Sequence, residues 1–435
     1  MHRSRNRQRN KESGVTMLLV VLGMFTILSM AALAIDLAAL YAARTDAQRA
    51  ADAAALAGAR MFVLSGFTSG QLGSPSSTTT QDQVCKSSAG SAGTGLANQQ
   101  ADGVTAQNQL AGQTAAITGI TCDFSNTENP RITVTTGRAD VATFFAKIFG
   151  RRTVGISAAA TAEAFNASGS AVPVSVGSVK PWLIPNCDPG AAPCAGGSYF
   201  VDSTNNYILK TPSNYIGQVY TFTQRIQGNP PQASEYYAID LPQATVCPSS
   251  GAIGCSSVGL GLGTAGYLDN IACANTNRLS CGASITFDNK NGLPPTISDT
   301  ISGTQCLIHT GTTGTGGTDQ DSFSTGTAPI IITGGLSNPN PALHGITNIS
   351  RSDSVVTVPV FDWTVDPCTG PGGKCGGTAN VVGFLQLGIN YVSNVAGTSG
   401  DIRATVLNAV GCNPGNTGTP ISGGGVSAIP VRLVN

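Results

Sequence analysis

The sequence predicts an α+β protein with three parts. These are a long N-terminal helix that is part transmembrane span and part stalk, a small α+β unit, and a mainly β C-terminal region that carries disulfides. Three observations support this fold class. Residues 15–35 contain no charged side chain. Short β-type runs between Gly- and Pro-rich turns dominate after residue 167. All twelve cysteines lie between Cys85 and Cys412.

The uncharged run is long enough to cross a bilayer. It has 21 residues, and a membrane helix needs about 20. Residues 1–14 hold five basic side chains and one acidic side chain, and such basic flanks stay in the cytoplasm. We therefore predict a cytoplasmic basic tail over 1–14, a transmembrane helix over 15–35 and a body on the other side of the membrane.

A cleavable signal peptide is the alternative for this segment, because Ala32-Leu33-Ala34 forms an A-x-A pattern after a basic stretch. Two features favour a retained anchor. The apolar run exceeds the roughly 7–15 residues of a signal peptide, and residues 36–64 continue with strong helix formers. Small Ala and Gly side chains dominate residues 36–64. This helical stalk is therefore either solvated or an assembly surface for other helices.

Residues 65–166 are predicted to form the small α+β unit. Its expected elements, in order, are a helix over 96–116, strands over 117–124 and 131–136, a short helix over 139–149 and a strand over 153–165. Residues 167–435 are predicted to be a β-rich ectodomain of sandwich or barrel type with long loops.

A repeated element marks the β-rich region. Trp182-x4-Cys187-x6-Cys194-x-Gly-Gly is similar to Trp363-x4-Cys368-x6-Cys375-Gly-Gly, and a Val-Pro-Val precedes each copy. The chain has two tryptophans, and both stand at this position. We interpret the copies as equivalent turns from a duplicated element, each with its tryptophan packed beside a local crosslink.

The even number of cysteines predicts disulfides in an oxidising compartment. Eight of them form four close pairs around turn-rich stretches, namely Cys187/Cys194, Cys247/Cys255, Cys273/Cys281 and Cys368/Cys375. A local disulfide would close each turn. The other four, Cys85, Cys122, Cys306 and Cys412, are left for long-range bridges or for one another. The sequence does not fix the connectivity. Zinc is disfavoured because no C-x2-C spacing occurs.

A pattern of specific residues surrounds the apolar run. Gly14 precedes it, Ile35-Asp36-Leu37 ends it, and Tyr41, Gln48 and an Ala-Asp-Ala-Ala-Ala-Leu-Ala stretch follow. With these features, residues 13–59 resemble the N-terminal module of the TadE/TadG-like Flp (tight adherence) pilus-assembly family. The resemblance implies a single-pass protein of the bacterial inner (cytoplasmic) membrane.

Two departures from the family pattern qualify the resemblance. Prepilin-peptidase substrates commonly carry Glu at the fifth position after the processed Gly, where this chain has Leu19. An unprocessed anchor therefore fits better than a polymerising pilin. The integrin-type metal-binding motif of many TadG-like proteins is not recognisable in this sequence.

The sequence offers no recognisable catalytic chemistry. It contains no Walker A sequence, G-x-S-x-G or H-E-x-x-H. After the basic tail the chain carries a net charge of −4 (0 minus +4), which gives no basic footprint for nucleic acid. We therefore name no catalytic, cofactor-binding or metal residues. We also expect no cofactor, no nucleic-acid partner and no small-molecule ligand.

Two functions are compatible with these features. The first is a non-enzymatic, membrane-anchored component of Tad/Flp-type pilus assembly or of the cell envelope, which acts through contacts with other pilus-assembly or envelope proteins. The alternative is an exported or surface β-rich adhesin or binding module. The anchor and the stalk favour the first function, whereas the Gly- and Thr-rich β region is compatible with either.

Overall fold

A computed structural model describes most of the chain. The described residues are 5–70, 75–89, 93–168, 174–191, 199–202, 208–209, 215–225, 232–244, 246–249, 252–256, 266–275, 278–287, 296–310, 320–363, 375–393, 400–413, 421–422 and 427–434. The statements below concern these residues.

The first element is one continuous helix. Helix α1 runs from Arg5 to Leu64 over 60 residues, which is about 90 Å at 1.5 Å per residue. Ala and Leu are its commonest residues and proline is absent, so few side chains oppose a helix. Two residues after its end, Gly66 has a φ of 77°, the left-handed conformation that glycine adopts without strain. The predicted span and stalk are consecutive parts of this helix.

Five antiparallel strands form the first sheet. They are β1 (Ser88–Ala89), β4 (Ala116–Asp123), β5 (Arg131–Ala142), β6 (Thr153–Ala164) and β21 (Val431–Val434), in the order β1–β4–β5–β6–β21. Four further elements lie between β1 and β4 or before β1 in the chain. They are helices α2 (Thr78–Val84) and α3 (Leu96–Ala106) and the two-stranded ribbon of β2 (Gln109–Leu110) and β3 (Gln113–Thr114). The last strand, β21, therefore returns from the C-terminal end of the chain.

Two predicted elements of this unit need correction. The helix predicted over 139–149 is wrong, because β5 continues to Ala142 and only Ala146–Phe149 forms a 3-10 turn. The apolar side chains that suggested a helix lie at the tip of the β5–β6 hairpin instead. The helix predicted over 96–116 ends at Ala106, and the β2–β3 ribbon follows. Ala111 and Gly112 both have positive φ there, as a two-residue hairpin turn of type I′ requires.

The second sheet closes on itself into a six-stranded barrel. Its strands are β8 (Trp182–Pro185), β11 (Val219–Gln224), β12 (Glu235–Ala238), β17 (Val355–Phe361), β18 (Thr378–Val392) and β19 (Ile402–Gly411). The order is β18–β17–β8–β12–β11–β19, and β19 pairs back to β18. Strand β14 (Ser284–Thr286) adds to the end of β18. Closure leaves fewer unpaired strand edges. The α+β fold class with a mainly β C-terminal region is confirmed.

The remaining described elements are short and surround the barrel. They are the three-stranded sheet of β7 (Val174–Gly177), β13 (Arg278–Ser280) and β20 (Ile421–Ser422), the ribbon of β9 (Val201–Asp202) and β10 (Ile208–Leu209), the ribbon of β15 (Ser322–Phe323) and β16 (Ile332–Thr333), and helices α4 (Tyr267–Ala272) and α5 (Ile297–Leu307). Helix α5 begins with a capping box, in which Thr296 and Asp299 satisfy each other's backbone amides.

One hydrophobic core joins the first sheet, the end of α1 and the barrel. The barrel reaches the end of α1 directly, because the Asn408 side chain donates to the Val63 carbonyl at 2.8 Å. A Cβ on Gly66 would lie 2.8 Å from the Leu407 carbonyl oxygen, so the chain turns here against barrel backbone. The domain boundary predicted between residues 166 and 167 stays a prediction.

Candidate membrane anchor and its junction with the body

The apolar part of α1 projects from the body. The most apolar 18-residue window of this helix has a mean hydropathy of 2.6, and none of the window is buried. The 21 residues of the predicted span extend about 31 Å, close to the roughly 30 Å of a bilayer's hydrocarbon core. In the described part of the chain this is the one helix that is long and apolar enough to cross a membrane. Lipid is the solvent that suits such a surface.

Burial of α1 begins where the apolar run ends. Asp36 is 4% exposed, and from Ala43 onward one face of the helix packs against β5 and β6. Small side chains make this close packing possible: a Cβ on Gly58 would lie 2.7 Å from Cδ1 of Ile132. The helix over 36–64 thus continues as predicted, and the alanines on one of its faces pack within the chain. Whether its exposed face is solvated or an assembly surface stays a prediction.

Asp36 ties the end of the predicted span to the β5–β6 hairpin. Its Oδ1 accepts from the amides of Phe144 at 2.7 Å and Phe145 at 3.1 Å. Its Oδ2 accepts from Phe145 at 3.0 Å and Ala146 at 2.6 Å. Burial would raise the pKa of the Asp36 carboxyl, but the three backbone donors and the nearby Lys147 hold that pKa below its ordinary value. The carboxylate is therefore charged at neutral pH and fixes the hairpin tip beside the helix.

The described disulfides connect distant parts of the chain. They are Cys85–Cys122, Cys247–Cys273, Cys255–Cys306 and Cys281–Cys412, with sequence separations of 37, 26, 51 and 131 residues. The close pairs Cys247/Cys255 and Cys273/Cys281 are therefore wrong. Val246 and Ala274 pair as an antiparallel bridge, and this pairing, which turn length does not reveal, places Cys247 beside Cys273.

The remaining two close pairs stay predictions. Cys187 and Cys375 are each disulfide-bonded, but Cys194 and Cys368 lie outside the described residues. The first copy lies beside the strand that leads into the second, because β8 and β17 are parallel neighbours with Ile184 opposite Val360. Trp182 is buried, with its ring centroid 6.1 Å from that of Tyr236. The proposed equivalence of the two turns stays a prediction for the same reason.

A cavity of about 390 Å³ lies beside the Cys247–Cys273 disulfide. Lys180 lines it and donates from Nζ to the Cys273 carbonyl at 2.8 Å. Burial lowers the pKa of Lys180 from 10.5 to about 7, although Asp353 opposes the effect. Nε2 of His309 lies 3.0 Å from Asp353 Oδ2, and this contact lowers the pKa of the Asp353 carboxyl. No sequence motif predicted this cluster.

One group of potential metal ligands occurs among the described residues. Ligand atoms of Cys247, Asp269 and Cys273 lie within 4.8 Å of one another. The two sulfurs are joined to each other at 2.04 Å, and a metal would need them as thiolates. In the oxidised protein the group therefore serves as a crosslink.

The span, the Asp36 junction and the packed alanine face together define an anchor module that is integral to the body. Residues 14–61 match the family model described as putative Flp pilus-assembly TadE/G-like. This match confirms the resemblance of the N-terminal module, and it ends within the last turn of α1. No curated protein and no solved structure matches the chain.

Proposed function

We propose that this chain is a membrane-anchored, non-enzymatic component of Tad/Flp-type pilus assembly or of the cell envelope. It acts through contacts with other pilus-assembly or envelope proteins. The observation that carries the proposal is α1. Its apolar half projects from the body at the length of a bilayer, and the segment that matches the pilus-assembly family contains this half and the helix packed into the body.

The proposed location is the bacterial inner membrane, with one crossing and the body outside the cytoplasm. The five basic residues of the 1–14 tail favour a cytoplasmic N-terminus. Four described disulfides crosslink the body, and such bonds persist in oxidising compartments outside the cytoplasm. These two features are independent of each other and favour the same orientation.

A structural role also suits Lys180, a buried lysine whose pKa is strongly lowered by burial. Lys180 is 5% exposed, and its amine donates a hydrogen bond to the Cys273 carbonyl. A catalytic amine needs access to a substrate, whereas this one is bound to the backbone at the C-terminal end of helix α4. The proposed activity therefore resides in surfaces and not in a reaction centre.

Deletion and complementation in the bacterium that encodes the chain test the proposal. Deletion should abolish surface filaments, counted by electron microscopy, and the full chain should restore them. The matched variant replaces residues 1–35 with a cleavable signal peptide and so exports the same body unanchored. This variant should fail to restore filaments. Normal filament numbers after deletion, together with reduced attachment to surfaces, would contradict the proposal and favour the adhesin.

A further inference from the structure

The β5–β6 hairpin runs along α1 toward the membrane. Three contacts show its course: Ile132 lies against Gly58, the Thr136 hydroxyl donates to the Ala47 carbonyl at 2.8 Å, and the hairpin tip binds Asp36. Each contact is 11 residues closer to the span than the one before, which is about 16 Å along the helix. The tip of the hairpin therefore lies where α1 leaves the predicted span.

The loop at this tip, residues 143–152, presents four large apolar side chains to the outside. Phe144, Phe145, Ile148 and Phe149 are 59%, 37%, 74% and 79% exposed. Elsewhere the aromatic side chains of the body are mostly buried. Three exposed cations, Lys147, Arg151 and Arg152, share the loop, and it contains no acidic residue.

Internal hydrogen bonds hold this tip loop in shape. The Thr143 amide donates to the Arg152 carbonyl at 3.1 Å, and the Thr143 hydroxyl donates to the Arg151 carbonyl at 2.5 Å. The Arg151 amide donates to the Ala146 carbonyl at 3.1 Å. Gly150 adopts a φ of 86°, which permits the return of the chain. The apolar side chains are therefore displayed by a structured loop and fixed to α1 through Asp36.

We propose that the tip loop is a second membrane contact. Its apolar side chains enter the boundary between headgroups and acyl chains in the leaflet on the body's side, and its three cations bind the phosphates of anionic phospholipids. The inference rests on the proposed function, because the loop meets lipid only if the apolar half of α1 spans the membrane.

Lipid is the occupant that the loop's chemistry and position favour. A large apolar surface flanked by Lys and Arg is the pattern of segments that lie in a membrane interface. Its three charges have one sign and complement an anionic leaflet. The Asp36 hydrogen bonds place it beside the helix residue that directly follows the span. With both contacts the body would hold a fixed orientation relative to the membrane plane.

The test uses the full chain in vesicles of phosphatidylcholine and phosphatidylglycerol at 7:3, with few protein molecules per vesicle. An environment-sensitive fluorophore is attached to one introduced cysteine at a time, since no described cysteine is free. Ile148→Cys reports the tip loop, and Phe25→Cys reports the span. Leu336→Cys is the control for a position far from the membrane. Leu336 is 62% exposed, and six residues before it the Ile330 amide donates to the Ser65 carbonyl, just beyond the end of α1 that is far from the span.

The expected result is a distinct depth for each label. Lipids with a nitroxide near the headgroup should quench the label at residue 148, and lipids with a deep nitroxide should quench the label at residue 25. Aqueous iodide should quench the label at residue 336 most strongly. Equal iodide quenching at residues 148 and 336, with residue 25 still in lipid, would overturn the loop proposal alone. Residue 25 in water would instead overturn the membrane anchor itself.

Two further measurements separate lipid from a protein occupant and test the cations. Contact with a second copy of the chain would shield the label at residue 148 from iodide only at high protein density, and nitroxide lipids would not quench it. That result would overturn lipid contact. Arg151→Gln with Arg152→Gln should reduce the preference of the loop for phosphatidylglycerol over pure phosphatidylcholine by about fivefold per cation. An unchanged preference would overturn the role of the arginines.

Discussion

Replacing Lys180, the buried lysine beside the Cys247–Cys273 disulfide, should change how the free energy of unfolding depends on pH. Lys180 is buried, and its pKa falls from 10.5 to about 7 in the folded protein. Between these two values the unfolded chain keeps a proton that the folded protein has released. The free energy of unfolding should therefore rise as the pH increases from 7 to 10.5. Below pH 7 both states are protonated, and the cost of burying the ammonium is fully present.

The magnitude follows from this displacement of the pKa. One pKa unit corresponds to about 1.36 kcal/mol, so the wild-type protein should gain about 2.5 kcal/mol between pH 6 and pH 9 from this group. Lys180→Met keeps the apolar length of the side chain and removes the proton. It also removes the hydrogen bond to Cys273, worth about 1 kcal/mol, at both pH values. The free energy of unfolding of the variant minus that of wild type should thus be about 2.5 kcal/mol higher at pH 6 than at pH 9.

Guanidinium unfolding in detergent at the two pH values measures this difference, with the fluorescence of the nearby buried Trp182 as the signal. Lys86→Met is the matched control, because Lys86 is on the surface in an ion pair with Asp82 and should show little pH-dependent difference. If Lys180→Met changes the free energy of unfolding equally at both pH values, Lys180 is not buried as a neutral amine and the reasoning is refuted.

Three further predictions concern the anchor and the crosslinks. Ala47→Leu should lower the free energy of unfolding by about 1–3 kcal/mol because it overfills the helix–sheet contact. Ala42→Leu, at an exposed position of the same helix, should change the free energy of unfolding by less than about 0.5 kcal/mol. Equal denaturation midpoints for the two variants would argue against close packing at Ala47. Paired Ser substitutions of Cys281 and Cys412 should cost about 5 kcal/mol by chain entropy for a separation of 131 residues, and non-reducing peptide mapping should recover that pair. Asp36→Ala should speed hydrogen exchange at the three amides that donate hydrogen bonds to the carboxylate. Unchanged exchange rates would show that other contacts hold the loop.

The parts of the fold that depend on local chemistry were predictable from the sequence. A run of 21 uncharged residues followed by strong helix formers specifies a long helix whatever packs against it. The strands predicted over 117–124 and 153–165 agree with β4 and β6 to within one residue at each end, whereas the strand predicted over 131–136 covers only the first half of β5. The helix predicted over 139–149 failed because clustered apolar residues were taken as a sign of burial, whereas the phenylalanines of the tip loop face outward.

The parts that depend on distant contacts were not predictable. Cys281 pairs with Cys412 across 131 residues, and the short spacing of Cys273 and Cys281 favoured a different bond. The Asp36 junction likewise joins the helix to amides more than 100 residues away. A single Asp after an apolar run gives no sign of such partners. A buried carboxylate needs hydrogen-bond donors, and the fold alone determines which backbone supplies them.

The central claim is that the chain remains anchored by the apolar half of α1 with its body outside the cytoplasm. The most direct measurement fuses alkaline phosphatase, which is active only outside the cytoplasm, after residue 435 and follows its activity through a carbonate wash of the membranes. A retained anchor with the body outside the cytoplasm predicts active enzyme that stays in the washed membrane pellet. Inactive enzyme in the pellet would place the body in the cytoplasm, and active enzyme in the supernatant would show that the N-terminal segment does not anchor the chain. Either result would contradict an anchored chain with its body outside the cytoplasm.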